Sequence, residues 1–243
     1  MQIKNNILKI VLVSLLTLGF TACDDNESSS MISSEKKVKL PKPEWDSRLS
    51  DVEPDTGKWF QLANDDEIAA YNIANTYRQD LKDNKKAIEW YLYSDSIKTI
   101  NQNLVNMASS YKDLKNYDMA IKYYTQAYLA GDKKAAEGLA LLYEINLNDY
   151  KKAENWYKKA IERDSISAIK NIGLLYHDIL KDDIKTSAYY IALIDIRYTK
   201  ELVLKLLQEE WKIPNETIKK GYELQLTSDE FPIKYKGKLD LNE

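Results

Sequence analysis

Cys23 and His177 each occur once in this chain, and that alone narrows its chemistry. One histidine leaves no His-based metal cluster and no Cys–His pair, so no metal ligand set is expected. No Gly-rich phosphate loop, no G-x-S-x-G and no H-E-x-x-H is present. Carboxylates are plentiful, as in Asp65-Asp66-Glu67 and Asp182-Asp183. Each group stands where a helix would start, and an acid there favours the helix dipole. That structural reading outweighs acid–base catalysis, so the chain is read as a non-enzyme without cofactor. Cys23 has the most distinctive setting. It follows Lys4 and Lys9, an uncharged apolar run from Ile10 to Phe20, and Thr21-Ala22. A basic start, an apolar stretch of 7–15 residues and small residues at its end describe a secretory signal. The run is too short to cross a bilayer, which takes about 20 apolar residues.

A cysteine directly after those small residues resembles the lipobox of bacterial lipoproteins, although Phe20 stands where leucine is usual. The resemblance implies that Cys23 becomes the first mature residue and carries acyl chains. Residues 1–22 are then a signal peptide, and the protein faces the periplasm, anchored in the inner or outer membrane. Asp24 after the cysteine resembles an inner-membrane retention signal. The alternative is an ordinary cleaved signal with a chance cysteine.

Removing residues 1–22 removes two lysines and no acid, and the remaining 33 basic and 38 acidic residues leave a formal charge of −5. That excess is mild and carries no nucleic-acid footprint. With Cys23 acylated no disulfide is possible, and stability rests on packing. Only 7 glycines and 5 prolines accompany 18 tyrosines, a mix that suits helices with aromatic packing.

Residues 23–57 read as a flexible tether, with Ser28-Ser29-Ser30, a basic run at Lys36-Lys37-Val38-Lys39, Pro41 and Pro43, and no helical stripe. About 30 such residues reach on the order of 30 Å. Trp45 and Leu49 either dock on the fold or, in the simpler reading, do not. From Trp59 the chain repeats. Tyr77, Tyr111, Tyr143 and Tyr176 recur at steps of 34, 32 and 33 residues. Trp59, Trp90, Tyr123, Trp156 and Tyr189 recur at 31, 33, 33 and 33. The small residues Ala87, Ala120, Ala153 and Thr186 keep the same period. A period near 33 signals a helical solenoid.

Each unit carries two amphipathic stripes, as in Ala136, Leu139, Ala140, Tyr143 and then Ala153, Trp156, Tyr157, Ala160. Asn146-Leu147-Asn148-Asp149 between them suits a turn and an N-cap. Ala74, Ala108, Ala140 and Gly173 mark close helix approaches. The segments Ala70–Tyr77, Lys86–Tyr91, Lys152–Ala160 and Ala168–Tyr176 resemble Sel-one-like repeats, relatives of the tetratricopeptide repeat. The resemblance implies an all-α, right-handed solenoid of about four helical hairpins over residues 58–196. Arg78, Lys112, Glu144 and His177 stand where that family often has glycine, which shifts the turns toward tetratricopeptide ones. Residues 197–243 read as a C-terminal cap: a helix around Leu202, Leu204, Leu206, Leu207 and Trp211, then one starting at Pro214 with Ile218, Tyr222 and Leu226 on one face, then a loop-like tail.

In tetratricopeptide-type stacks the face of the first helices away from the buried stripe lines a concave groove. Here it would present Tyr71, Asn75 and Arg78; Val105, Ser109 and Lys112; Glu137, Leu141 and Glu144; Lys170, Leu174 and His177. Asn72, Asn106 and Asn171 recur beside them, either contacting a ligand backbone or, as the favoured role, bonding one repeat to the next. His177 reads as a surface residue near a helix end. The groove mixes basic, acidic and apolar groups and suits a protein partner, with no nucleic acid and no small-molecule substrate expected. The arrangement resembles the lipoprotein immunity factors of antibacterial effector systems such as type VI secretion, which implies neutralisation of a toxin acting in the periplasm. An envelope scaffold or adaptor, or an accessory factor at peptidoglycan, stays open as an alternative.

Overall fold

A computed structural model describes residues 38–241. Cys23, the signal peptide and the first part of the tether lie outside the described residues. The described chain is helical throughout, with one isolated bridge between Ile194 and Tyr198. Two short helices, α1 (Arg48–Val52) and α2 (Thr56–Leu62), lead into four hairpins. These are α3 (Glu67–Gln79) with α4 (Asn84–Ile97), and α5 (Asn101–Asp113) with α6 (Tyr117–Leu129). The third pairs α7 (Ala135–Leu141) with α8 (Tyr150–Ile161), and the fourth α9 (Ile166–Leu174) with α10 (Asp183–Ile191). α11 (Lys200–Lys205) and α12 (Asn215–Thr227) close the stack. Successive helices from α1 to α11 pack on one another along the chain, and α12 packs back on α10. No described helix is long and apolar enough to cross a membrane.

One turn chemistry builds every hairpin. The N-cap of each second helix is an acid or its amide: Asp83, Asn116, Asp149, Asp182. Its side chain accepts from the backbone N–H three residues on, at 3.2, 3.3, 3.1 and 3.0 Å. Its own N–H donates to the carbonyl of the recurring tyrosine of the first helix, Tyr77, Tyr111, Tyr143 or Tyr176, at 2.8–3.0 Å. The tyrosine therefore anchors both the core and the turn. Lys82, Lys115, Asn148 and Lys181 take the left-handed backbone at φ of 52–60°, where glycine would be free of strain.

Turn length decides the helix ends. Tyr111 and Ala120 are nine residues apart, and Leu114 N–H bonds Ser110 in the ordinary i→i−4 pattern. The other three units hold one more residue between tyrosine and small residue. Leu81 N–H accordingly reaches Thr76, and Leu147 N–H reaches Leu142, five residues back. In the third and fourth units this widens into π-helical segments, Leu142–Asn146 and Leu175–Leu180, continuing α7 and α9. A third, Leu206–Glu210, continues α11.

The expected tether ends early. From Val38 the chain is laid on the first unit. Leu40 N–H donates to Ser96 Oγ (3.0 Å), Lys42 Nζ lies 4.1 Å above the Phe60 ring, and Trp45 meets Phe60 edge-on at 5.1 Å. Leu49 is fully buried. Arg48 pairs with Asp46 and Asp83 and holds the Asp46 carboxyl down at about 2. A solenoid end must be covered, and this stretch covers the first one.

At the other end the capping helix is turned by one residue from expectation. Pro214 is the N-cap and not the first turn, and α12 buries Ile218, Gly221 and Gln225, with Tyr222 and Leu226 half-buried. Leu202 is exposed. The tail is docked as well. Gln225 donates to the Tyr235 carbonyl (2.8 Å) and accepts its N–H (3.1 Å), while Tyr222 Oη donates to the Gly237 carbonyl (2.8 Å). Phe231 is buried against Tyr189, 4.6 Å between centroids. One repeat earlier, Tyr128 of α6 and Trp156 of α8 meet edge-on at 5.2 Å across two units.

Candidate functional site: the shared face of the first helices

Several of the residues expected to line a groove bond one another across units. Asn106 Nδ2 donates to Tyr71 Oη (3.2 Å) and to Asn75 Oδ1 (3.1 Å) in the unit before it. Asn75 Oδ1 also accepts from Tyr91 Oη at 2.6 Å. Asn171 Nδ2 reaches back one unit to Glu137 Oε1 at 3.1 Å. The recurring asparagines thus tie the first helices side by side. Asn72 is half-buried, and its carbonyl accepts from Thr76 Oγ1. Ser109 Oγ bonds Tyr124 Oη at 2.9 Å.

Two acids of this face, Glu137 and Glu144, accept internal hydrogen bonds. Glu137 accepts from Ser165 Oγ (3.1 Å), Ser167 Oγ (2.7 Å) and Asn171, so three donors converge on one carboxylate. Glu144 accepts from Tyr157 Oη at 2.5 Å. Burial pushes the Glu144 carboxyl above its ordinary value, the Tyr157 hydrogen bond only partly opposing it. The cations are placed differently. Arg78 forms no ion pair among the described residues, and its Nε is buried without an acceptor. Its charge lies close enough to oppose the upward push that burial gives the Tyr91 and Tyr124 phenols. Among the described residues Lys112 pairs with its neighbour Asp113, at 3.8 Å.

His177 departs from the surface position expected of it. Its ring stacks on Trp211 at 4.0 Å, and Tyr190 meets the same indole edge-on at 4.8 Å. Asp178 and Asp183 stand 3.8 and 4.0 Å from its two nitrogens. It fastens the cap to the fourth unit. Among the described residues no group of three or more His, Cys, Asp or Glu side chains could hold a metal ion.

A cleft of about 450 Å³ opens on this face where the second, third and fourth units meet. Val105, Leu141, Gly138 and the Tyr124 ring line it together with Glu137, Ser165, Ser167, Lys133, Lys134, Arg163 and the exposed Asp164. Gly138 is required here, since a Cβ at that position would stand 2.5 Å from Tyr124 Cε1. Arg163 is built into the wall. It lies 3.6 Å over the Tyr128 ring and donates to the carbonyls of Tyr128 (2.9 Å) and Asp132 (3.4 Å), which fixes the loop carrying Lys133 and Lys134. Lys133 and Lys134 are exposed and form no ion pair among the described residues. Groove reasoning by helix position found Val105, Glu137 and Leu141. It missed Tyr124, Lys133, Lys134 and Arg163, which come from second helices and inter-unit loops. The Lys133-Lys134 pair beside Gly131 was the available signal.

A second polar cluster holds the tail. Glu154 accepts from Lys158 and Tyr176 (both 2.7 Å), Lys158 reaches Glu230 at 3.1 Å, and Tyr189 Oη donates to Glu230. Lys185 donates to Tyr176 Oη at 2.9 Å.

Residues 102–130 and 134–166 match the family described as Tetratricopeptide repeat. They correspond to the α5–α6 and α7–α8 hairpins, which frame the cleft. No curated protein and no solved structure matches the chain. The fold is a tetratricopeptide-type helical solenoid, an architecture that generally serves protein–protein interaction rather than catalysis.

Proposed function

We propose that this protein is an envelope lipoprotein that holds a protein partner on the first-helix face of its solenoid, and that the partner is a toxin acting in the periplasm, which it neutralises. The observation that carries the binding reading is the cleft. It sets Val105, Leu141 and the Tyr124 ring beside the charged side chains of Lys133, Lys134, Glu137, Arg163 and Asp164. Anchoring rests on the sequence around Cys23. Immunity rests on compartment, size and the lack of a recognisable catalytic motif.

Two experiments test the two parts. Cys23→Ser should abolish both membrane partitioning and uptake of labelled fatty acid; unchanged labelling ends the lipoprotein reading. Deleting the gene should sensitise cells to siblings that deliver the toxin encoded beside it, and expression of the mature chain in the periplasm should restore protection. A deletion strain that survives attack as well as wild type, with every neighbouring effector active, replaces immunity with the envelope-adaptor reading.

A further inference from the structure

We infer that the seat of Phe231 is a peptide-binding site. It accepts a chain segment in which a carboxylate is followed directly by an aromatic side chain, and residues 230–233 of this chain hold it closed at rest. The site shares no lining residue with the cleft, so it is independent of the first-helix binding proposed above.

The occupant is a peptide in all but its attachment. Residues 228–241 form no helix or strand, and their contacts are of two kinds. Glu230 and Phe231 are held by their side chains. The Glu230 carboxylate accepts from Tyr189 Oη and pairs with Lys158 at 3.1 Å. The Phe231 ring is 2 % exposed, among Ile161, Ile169, Tyr189 and Ala192, with no water-sized space left around it. Tyr235, Gly237 and Lys238 are held through backbone groups, by Gln225, Tyr222 and Lys200. Backbone bonds accept any sequence, whereas side-chain pockets select one. The selective part is therefore the Glu230-Phe231 pair.

The seat is built without its occupant. Ile161 ends α8, Ile169 lies in α9, and Tyr189 in α10 with Ala192 just after it. These helices pack on their neighbours in the stack. Lys158 keeps Glu154 as a partner at 2.7 Å when Glu230 leaves, so an empty seat does not strand that charge. The far half of the tail is tied more firmly. Gln225 is fully buried and uses both ends of its amide on the Tyr235 backbone. Freeing Tyr235 would orphan a buried donor and a buried acceptor. Opening therefore starts with residues 228–234, the stretch between α12 and these anchors. The chain's own segment competes for the seat at an effective concentration on the order of millimolar. An outside segment gains the seat only when it binds tightly or the strap is weakened.

The test uses the purified protein and a fluorescein-labelled peptide of residues 229–236, acetylated and amidated, read by fluorescence polarisation. Protein carrying Glu230→Ala with Phe231→Ala should bind the peptide, and wild type should bind it about tenfold more weakly or less. Peptides carrying Phe231→Ala or Glu230→Lys should bind the opened protein about tenfold more weakly or less. A peptide with p-benzoylphenylalanine in place of Phe231 should crosslink to the opened protein within residues 161–192. Cooperative thermal melting checks that each variant is folded. Glu230→Lys in the protein is the milder opening. It keeps the Phe231 ring and sets a cation against Lys158, and it should bind the peptide more tightly than wild type does. An opened variant that melts cooperatively yet binds no peptide, equal binding of the Phe231→Ala peptide, or crosslinks confined to residues outside 161–192 would overturn the inference. If neither variant melts cooperatively, the segment is a structural part of the fold and the inference falls as well.

Discussion

Gly221→Ala separates two opposite expectations. Gly221 lies on α12 where it crosses α10. A Cβ there would stand 2.6 Å from Ser187 Cβ, 2.7 Å from the Ile184 carbonyl oxygen and 2.9 Å from the Ala188 nitrogen. Two of the three atoms are backbone, so no side-chain rotation relieves the clash and α12 must lift. Replacing a helical glycine by alanine ordinarily gains about 1 kcal/mol, while overpacking costs about 1–3 kcal/mol. With backbone on both sides the upper end applies, and the net loss should be about 1–2 kcal/mol. Gly57→Ala is the control. Nothing lies within 4 Å of its added Cβ, so only the helix term acts, a gain of up to about 1 kcal/mol. Urea unfolding of both variants reads the two signs as shifts of midpoint at constant slope. A Gly221→Ala midpoint at or above wild type would mean α12 is not seated on α10, and the capping account fails.

Lys181→Gly relieves a lysine held at φ 56° and should stabilise by about 0.5–1 kcal/mol after the added unfolded-state entropy, read as a raised melting temperature. Phe231→Ala empties a buried tail anchor and should cost about 3 kcal/mol or more, with trypsin newly cutting at Lys234, Lys236 and Lys238. Burial raises the Glu154 carboxyl, but hydrogen bonds from Lys158 and Tyr176 outweigh it and hold the group below its ordinary 4.5. A depressed folded-state value contributes stability above pH 4.5 that is lost as pH falls through it. Glu154→Gln should therefore flatten the stability–pH curve below pH 4.5, checked by urea titrations at several pH values.

The hairpins were legible because their determinants recur. The tyrosine, the small residue and the Asp or Asn of the turn each mark a fixed place in a 33-residue period, and each does one local job. The asparagines of the first helices recurred too, but spacing alone left two roles open, and only the distances from Asn106 to Asn75 and from Asn171 to Glu137 decide between them. The π-helical ends were hidden in a count, one extra residue between Tyr143 and Ala153 compared with Tyr111 and Ala120. The two end caps have no period to reveal them. Leu49 and Phe231 stand among polar and proline residues, and their burial follows from contacts far along the chain. Gln225 reads as a surface residue until its amide meets the backbone of Tyr235. In the cleft, residues from first helices were legible by position. Lys133 and Lys134 sit on a loop whose course is set by Arg163, about one repeat further on.

The central claim is that the first-helix face holds one protein partner. In-cell photo-crosslinking tests it directly, with p-benzoylphenylalanine in place of Leu141 in the cleft and, separately, in place of Lys219 on α12. The account predicts a single discrete adduct from position 141, lost when Lys133→Glu and Lys134→Glu are added, and none from position 219. Adducts of equal yield from both positions, or none from position 141 while the chain remains folded, would contradict it.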